Sequence, residues 1–329
     1  MAKPVTLMQA LDLPWIEKYR PKNLSEVIGQ KLVVERLKSF VERQSFPNMI
    51  FAGTAGVGKT TCAIAFANEL FKGQLNGAFK ELNASDDRGI DVVRGTVKEF
   101  ARTISLADIP IKIIFLDEAD SLTADAQHAL RRTMEKYSAE TRFILSANYA
   151  SKIIDPIQSR CVVFRFKSLT EDDMRVYVER IAKGEDLEID DKAVEALLYV
   201  SEGDMRKLTN IMQSCAMHNR KITDTSVYDI AAKARPKEIV AMLKFSISGD
   251  FDNARKELEN LMLRQSLSAE DILKQSYAEA QTLNADERLK LAIIKEVGEA
   301  NFRIVEGANE RIQLESMLAR IILLSKYKI

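Results

Sequence analysis

Short β-branched and aromatic runs alternate with stretches of helical periodicity through the first half of the chain, the pattern of parallel strands joined by helical crossovers. Strands are predicted at Asn48 to Ala52, Phe79 to Asn83, Lys112 to Leu116, Arg142 to Ala147 and Cys161 to Phe166. Beyond Phe166 the period becomes helical, with segments at Asp172 to Lys183, Asp191 to Val200 and Asp204 to His218 separated by Gly184 and Gly203. Arg235-Pro236 then breaks the chain, and four or five longer helices follow, with boundaries at Gly249-Asp250, Ser266 to Ser268, Asn284 and Gly307. The fold class that follows is an α/β domain with a parallel five-stranded sheet over residues 1–167, a small helical domain over 168–234 and an all-helical domain over 235–329. In the last of these, Leu314, Met317, Leu318, Ile321 and Ile322 are spaced to serve an internal core or a subunit interface.

Composition narrows the class without naming a task. With 46% hydrophobic and 29% charged residues in 329, the chain is that of a folded soluble protein of two or three domains. No apolar run reaches the ~18 residues needed to span a bilayer, and Met1 to Asp12 lacks the features of a signal peptide, so a cytoplasmic protein is expected. Cys62, Cys161 and Cys215 lie far apart, and neither they nor His128 and His218 show metal-ligand spacing. Reduced thiols and no zinc are expected. The 48 basic and 48 acidic residues cancel, so any contact with nucleic acid requires a local concentration of positive charge.

The strongest chemical signal sits directly after the first predicted strand. Gly53-Thr54-Ala55-Gly56-Val57-Gly58-Lys59-Thr60 runs into the helical stretch Thr61 to Phe71, the strand–loop–helix context that a phosphate-binding P-loop requires. Its glycines let main-chain N–H groups turn around phosphate oxygens, Lys59 reaches the terminal phosphates of ATP, and Thr60 offers a hydroxyl to Mg²⁺. A turn needed only for chain reversal has no use for the Lys-Thr pair.

The apolar run Ile113-Ile114-Phe115-Leu116 ends in Asp117-Glu118-Ala119-Asp120, and acids at the carboxyl end of a parallel strand sit where ligands bind. Asp117 is placed to hold Mg²⁺ and Glu118 to polarise the attacking water, whereas Asp120 is open to a second reading as a cap of the helix from Thr123 to Lys136. Asn148 follows the fourth strand and could orient water near the γ-phosphate; a turn-forming Asn is the alternative.

These motifs occur in order with Trp15-Ile16-Glu17-Lys18-Tyr19-Arg20-Pro21, Ser146-Ala147-Asn148, Ser159-Arg160-Cys161 and Gly203-Asp204-Met205-Arg206-Lys207. Over roughly residues 13 to 220 the set resembles the small subunits of replication factor C, the sliding-clamp loader, in its archaeal form. Single motifs would point only to the wider AAA+ superfamily. The resemblance implies an AAA+ nucleotide-binding domain, a helical lid and an oligomerising collar, and a Mg-dependent ATPase active in an assembly. Its partners would be a large subunit, further copies of this chain, a PCNA-type sliding clamp and primer-template DNA in the nucleoid. It places Tyr19, Arg20 and Pro21 against the nucleotide, and makes Asn148 and Arg206 the first and second sensors of its phosphates. Arg160 becomes an arginine finger for the neighbouring subunit's site, a role worth ~10³–10⁵ in rate where it operates. A local ion pair is the alternative for Arg160.

Residues Asp91 to Ile104 read as a helix with Val93, Val97, Phe100 and Ile104 on one stripe and Arg94, Lys98 and Arg102 on another. With Arg88 they form a basic set without interleaved aromatics, suited to DNA phosphates and not to bases; a solvated face is the plainer reading. The helix end Met134-Glu135-Lys136-Tyr137 is a candidate clamp contact, or core. Two rival functions remain at this stage, a AAA+ motor on DNA junctions and a scaffold that binds ATP without hydrolysing it.

Overall fold

The computed structural model describes residues 13–86, 89, 91, 93–103, 111–231 and 233–327. They divide into two compact units, one containing residues up to Ile189 with Leu197–Ala216, the other Asp190–Ala196 with Met217–Ile329.

The first unit is built on five parallel strands, β1 (Asn48–Ala52), β2 (Phe79–Asn83), β3 (Lys112–Asp117), β4 (Thr141–Ala147) and β5 (Cys161–Arg165). They lie in the order β2-β3-β4-β1-β5, so the chain crosses over between β1 and β2 and again between β3–β4 and β5. The two-residue period of a strand sorts side chains by face. Met49, Phe51, Ile113, Phe115, Ile144 and Phe164 point into one core with helices α1 (Lys31–Arg43) and α2 (Lys59–Leu70). Ile50, Ile114, Leu116, Phe143 and Leu145 point into the other. Both faces of the central strands are covered, which is why β1, β3 and β4 carry apolar runs, whereas edge strand β2 exposes Lys80 and Glu81.

On the second face, Val93–Val97 forms a wide π-type turn that continues as the short α3 (Lys98–Arg102), and Thr103 is already extended. This corrects the regular helix expected from Asp91 to Ile104. Gly95 sits inside the wide turn with no side chain to hold α-helical spacing, so the i, i+4 relation between Arg94 and Lys98 is not set by an α-helix. Arg88 and Ile104 lie outside the described residues, as does the side chain of Arg94. Lys112, at the start of β3, is fully buried, and its ammonium donates to the carbonyl oxygens of Phe100 (2.8 Å), Ala101 (3.0 Å) and Thr103, closing the carboxyl end of α3. Burial pulls its pKa below the ordinary lysine value.

Helix α4 (Ala124–Lys136) is capped by Thr123, whose hydroxyl accepts from the Ala126 N–H, and it buries Leu130 and Met134 against the sheet. Met134 is therefore core, leaving the exposed Glu135 and Lys136 on the outer side of that helix end. Helix α5 (Glu171–Glu185) begins in a capping box of Thr170 and Asp173; α6 (Asp191–Ser201), α7 (Met205–His218) and α8 (Asp224–Ala231) follow.

The second unit carries α9 (Pro236–Ser248), α10 (Phe251–Glu259), α11 (Ala269–Thr282), α12 (Glu287–Val305) and α13 (Glu310–Tyr327). Pro236 occupies the first helical position, where its missing N–H costs nothing, and Gly249 ends α9 in the left-handed conformation, φ +85°. Ile239, Leu243, Leu258, Ile272, Ile293 and Leu318 meet in its core. Met317, Leu318 and Ile321 are buried there, whereas Leu291, Phe302, Val305, Ile312 and Leu323 are exposed. No helix of the described residues is long and apolar enough to cross a membrane.

Candidate nucleotide-binding site

The loop between β1 and α2 is held open by its glycines. Gly56 and Gly58 adopt φ +72° and +95°, and a Cβ at Gly53 would stand 2.6 Å from the Phe166 carbonyl oxygen. A Cβ at Gly56 would lie 2.0 Å from the Asp204 carboxylate, so the loop and the start of α7 touch directly, and the Met205 N–H donates to the Gly56 carbonyl at 3.2 Å. Asp204 itself accepts from the N–H groups of Arg206 and Lys207 and begins α7. This contact brings Arg206 to the rim of the same cavity.

Lys59 is buried at the first position of α2 and donates to the carbonyls of Gly53 (2.6 Å) and Thr54 (2.7 Å) and to Asn148 Oδ1 (3.1 Å). Burial lowers its pKa first, Asp117 opposes that shift and Arg206 adds to it. The Thr60 hydroxyl donates to Asp117 Oδ2 at 2.6 Å, while Asp117 Oδ1 accepts the Glu118 N–H at 3.0 Å. Glu118 stands in the left-handed conformation, φ +51°, and lines the cavity beside Asp117. Residues 89 positions apart in sequence thus converge because β1, β3 and β4 are sheet neighbours whose carboxyl ends meet at one place.

Of the N-terminal segment, Arg20 and Pro21 line the cavity and Tyr19 does not. The Tyr19 hydroxyl donates to Glu185 at 2.7 Å and packs over Gly184, where a Cβ would meet that oxygen at 2.2 Å. Burial and the Glu185 bond push the phenol upward in pKa. Arg20 pairs with Glu17, and its buried Nε has no hydrogen-bond partner among the described residues. The buried Ser146 hydroxyl in the same cavity is likewise without one. An apolar wall of Ile16, Val27, Ile28, Leu169, Tyr177 and Met205 completes the space. These orphaned donors, the positive-φ loop and the apolar wall fit a nucleotide with its phosphates on the loop.

Two residues that sequence reasoning does not single out for this role brace the site from outside its lining. Asp120 caps no helix; its Oδ2 accepts the N–H groups of Asn148 (3.2 Å) and Tyr149 (3.4 Å), fixing the turn that carries Asn148. Gln30 ties the loop to the segment that follows β5, donating to Val57 and Lys167 carbonyls and accepting the Lys167 N–H.

Arg160 lies away from its own chain's cavity lining. It is 41% exposed and contacts Glu135, the Pro156 carbonyl and the Ser159 hydroxyl. Lys98 and Arg102 are exposed on α3, and Lys98 shares a shallow groove with His128, Arg132 and Lys136 of α4.

Comparison with known proteins agrees with this arrangement. The model of the ATPase family associated with various cellular activities (AAA) matches residues 49–169, and that of the replication factor C C-terminal domain matches 234–320. The chain is 51% identical to the replication factor C small subunit of Methanococcus maripaludis, covering 94% of this chain and 98% of that one. It is 49% identical to that of Archaeoglobus fulgidus, over 95% and 98% respectively. A solved structure of the RuvB Holliday junction branch migration motor of Thermotoga maritima shares the fold at 18% identity. Its TM-score is 0.54, with 82% of this chain and 86% of that one covered. With the P-loop, the paired acids and the helical C-terminal unit in place, the chain belongs to the family of replication factor C small subunits.

Proposed function

We propose that the protein is an ATP-hydrolysing subunit of a clamp loader, which opens a PCNA-type sliding clamp and places it on primer-template DNA. The reading is carried by the cradle in which Lys59 meets Asn148 and Thr60 meets Asp117 at the edge of one cavity. ATP lies with its phosphates on residues 53–60. Arg20 and Pro21 face it from the N-terminal segment, and Tyr19 supports that segment from behind through Glu185. Thr60 and Asp117, two oxygen donors 2.6 Å apart, fit a hard cation and would hold Mg²⁺, which when bound neutralises phosphate charge.

Glu118 takes a proton from the attacking water as its oxygen bonds to the γ-phosphorus and the bond to the ADP oxygen breaks. Asn148 orients that water, and Lys59 and Arg206 hold the phosphate oxygens. Arg160, turned away from its own cavity, supplies the last positive charge to the site of the next copy, so hydrolysis requires assembly. Nucleotide then acts as a switch through different affinities for the two states of the assembly, since equal affinities would shift nothing. On this reading residues 1–167 form the nucleotide domain, 168–234 the lid and 235–329 the collar, where exposed Leu291, Phe302, Val305, Ile312 and Leu323 meet a neighbouring subunit or the large subunit. Lys98 and Arg102, with Arg88 and Arg94, contact DNA phosphates without reading sequence.

The test is single-turnover hydrolysis by the complex reconstituted with large subunit, clamp and primed DNA. Glu118→Gln should bind ATP normally and hydrolyse it about 10²–10⁴-fold more slowly. Equal rates would remove Glu118 from its role, and a failure of clamp and primed DNA to stimulate the wild-type complex would remove the clamp-loading assignment.

A further inference from the structure

We propose that Glu135 is a positioning residue for Arg160, holding the guanidinium in the orientation from which it reaches the neighbouring site. The inference rests on the reading of Arg160 as an arginine finger. Arg160 follows the one-turn helix Asp155–Gln158 and immediately precedes β5, so its main chain is fixed by the sheet. Its side chain is another matter: a long, exposed arginine samples many rotamers unless something selects one.

Three contacts select one here. Nη1 donates to the Pro156 carbonyl at 2.7 Å and to the Ser159 hydroxyl at 3.2 Å, and Nη2 forms an ion pair with a Glu135 carboxylate oxygen 2.8 Å away. The first two come from Arg160's own turn and move with it; Glu135 comes from a different element. It stands on the last turn of α4, whose Leu130 and Met134 are buried in the sheet core, so its carboxylate is held on a rigid platform. Arg131, one turn earlier on the same helix, lies 3.5 Å from the same carboxylate oxygen. Of the five N–H groups of the planar fork, the two on Nη1 are taken by the turn, which leaves those on Nε and on Nη2, beside Glu135, for an anionic oxygen.

Both side chains are about 40% exposed, and an exposed pair of this kind contributes little to folding. Orientation is the property that this contact can change, and orientation is what a finger acting across a subunit boundary needs.

The test uses the complete clamp-loader complex, with clamp and primed DNA, in which every copy of this chain carries Glu135→Gln, Glu135→Asp, Arg160→Ala or Glu135→Gln with Arg160→Ala. Glu135→Gln is expected to lower kcat about tenfold with KM for ATP within about twofold of wild type. Glu135→Asp should recover part of the loss, and the double variant should match Arg160→Ala alone, because a residue acting through another adds nothing once that other is gone. The urea midpoint of each variant should stay at the wild-type value. If Arg160→Ala lowers kcat while Glu135→Gln leaves it unchanged or raises it, the positioning role is overturned and the finger reading stands. If Arg160→Ala itself leaves kcat unchanged, the finger reading fails and this inference goes with it.

Discussion

The Asp120 carboxylate holds the main chain of Asn148 and Tyr149 by one oxygen, and its other oxygen is buried without a partner among the described residues. That makes it the group that sets where the Asn148 amide points, and so where Lys59 finds its third acceptor. If Asn148 orients the attacking water as proposed, Asp120→Ala should lower kcat about tenfold in the assembled complex, by misplacing the Asn148 amide, with ATP affinity unchanged in equilibrium binding. An unaltered kcat would show that the turn holds itself. Residues such as Lys59, Thr60, Asp117 and Glu118 are legible from sequence because their chemistry is packed into short motifs. Asp120 is not, because its partner lies 28 residues away, just past the end of β4, and an acid before a helix reads equally well as a cap. The apolar wall of Ile16, Val27, Leu169 and Met205 escapes for a related reason: scattered aliphatic residues look like core until the fold gathers them around a cavity.

Among the elements, the five strands stand within a residue of their sequence assignments; the central β1, β3 and β4, covered on both faces, carry apolar runs that mark them. The basic helix before β3 is where sequence reading fails. A π-type turn interrupts its period at Gly95, and Lys112, a charge at a strand's first position, looks like a solvent-facing boundary although it is buried under the carbonyls of α3. Lys112→Met keeps the length and removes the donors, leaving carbonyls at a buried helix end unpaired. The first unit should lose about 1–3 kcal/mol of stability in urea denaturation. The complex should also bind DNA more weakly with the slope of log affinity against log salt unchanged, because Lys112 itself meets no phosphate. A stability equal to wild type would show that α3 is held by other contacts.

At the scale of the molecule, the second unit leaves a set of large apolar side chains uncovered on its last two helices, with Phe302 63% and Val305 65% exposed. Sequence spacing alone leaves these helices open to core or interface. The structure separates the two sets, with Leu314, Met317, Leu318 and Ile321 buried and Leu291, Phe302, Val305, Ile312 and Leu323 outside. Phe302→Glu should leave the isolated chain folded, as judged by its melting temperature, and should weaken assembly, read as a shift to lower mass in sedimentation velocity. Assembly at wild-type concentrations would place the subunit contact elsewhere.

The central claim concerns two copies together: the positive charge that completes each hydrolytic site comes from Arg160 of another chain. Its most direct test is the ATPase of complexes assembled from mixtures of Lys59→Ala and Arg160→Ala protomers, each inactive when used alone. Where a protomer with an intact Arg160 sits beside one with an intact Lys59, a complete site forms, so the account predicts that part of the activity returns on mixing and rises to a maximum at intermediate ratios. No return of activity at any ratio, or full turnover by a verified monomer of the wild-type chain, would contradict it.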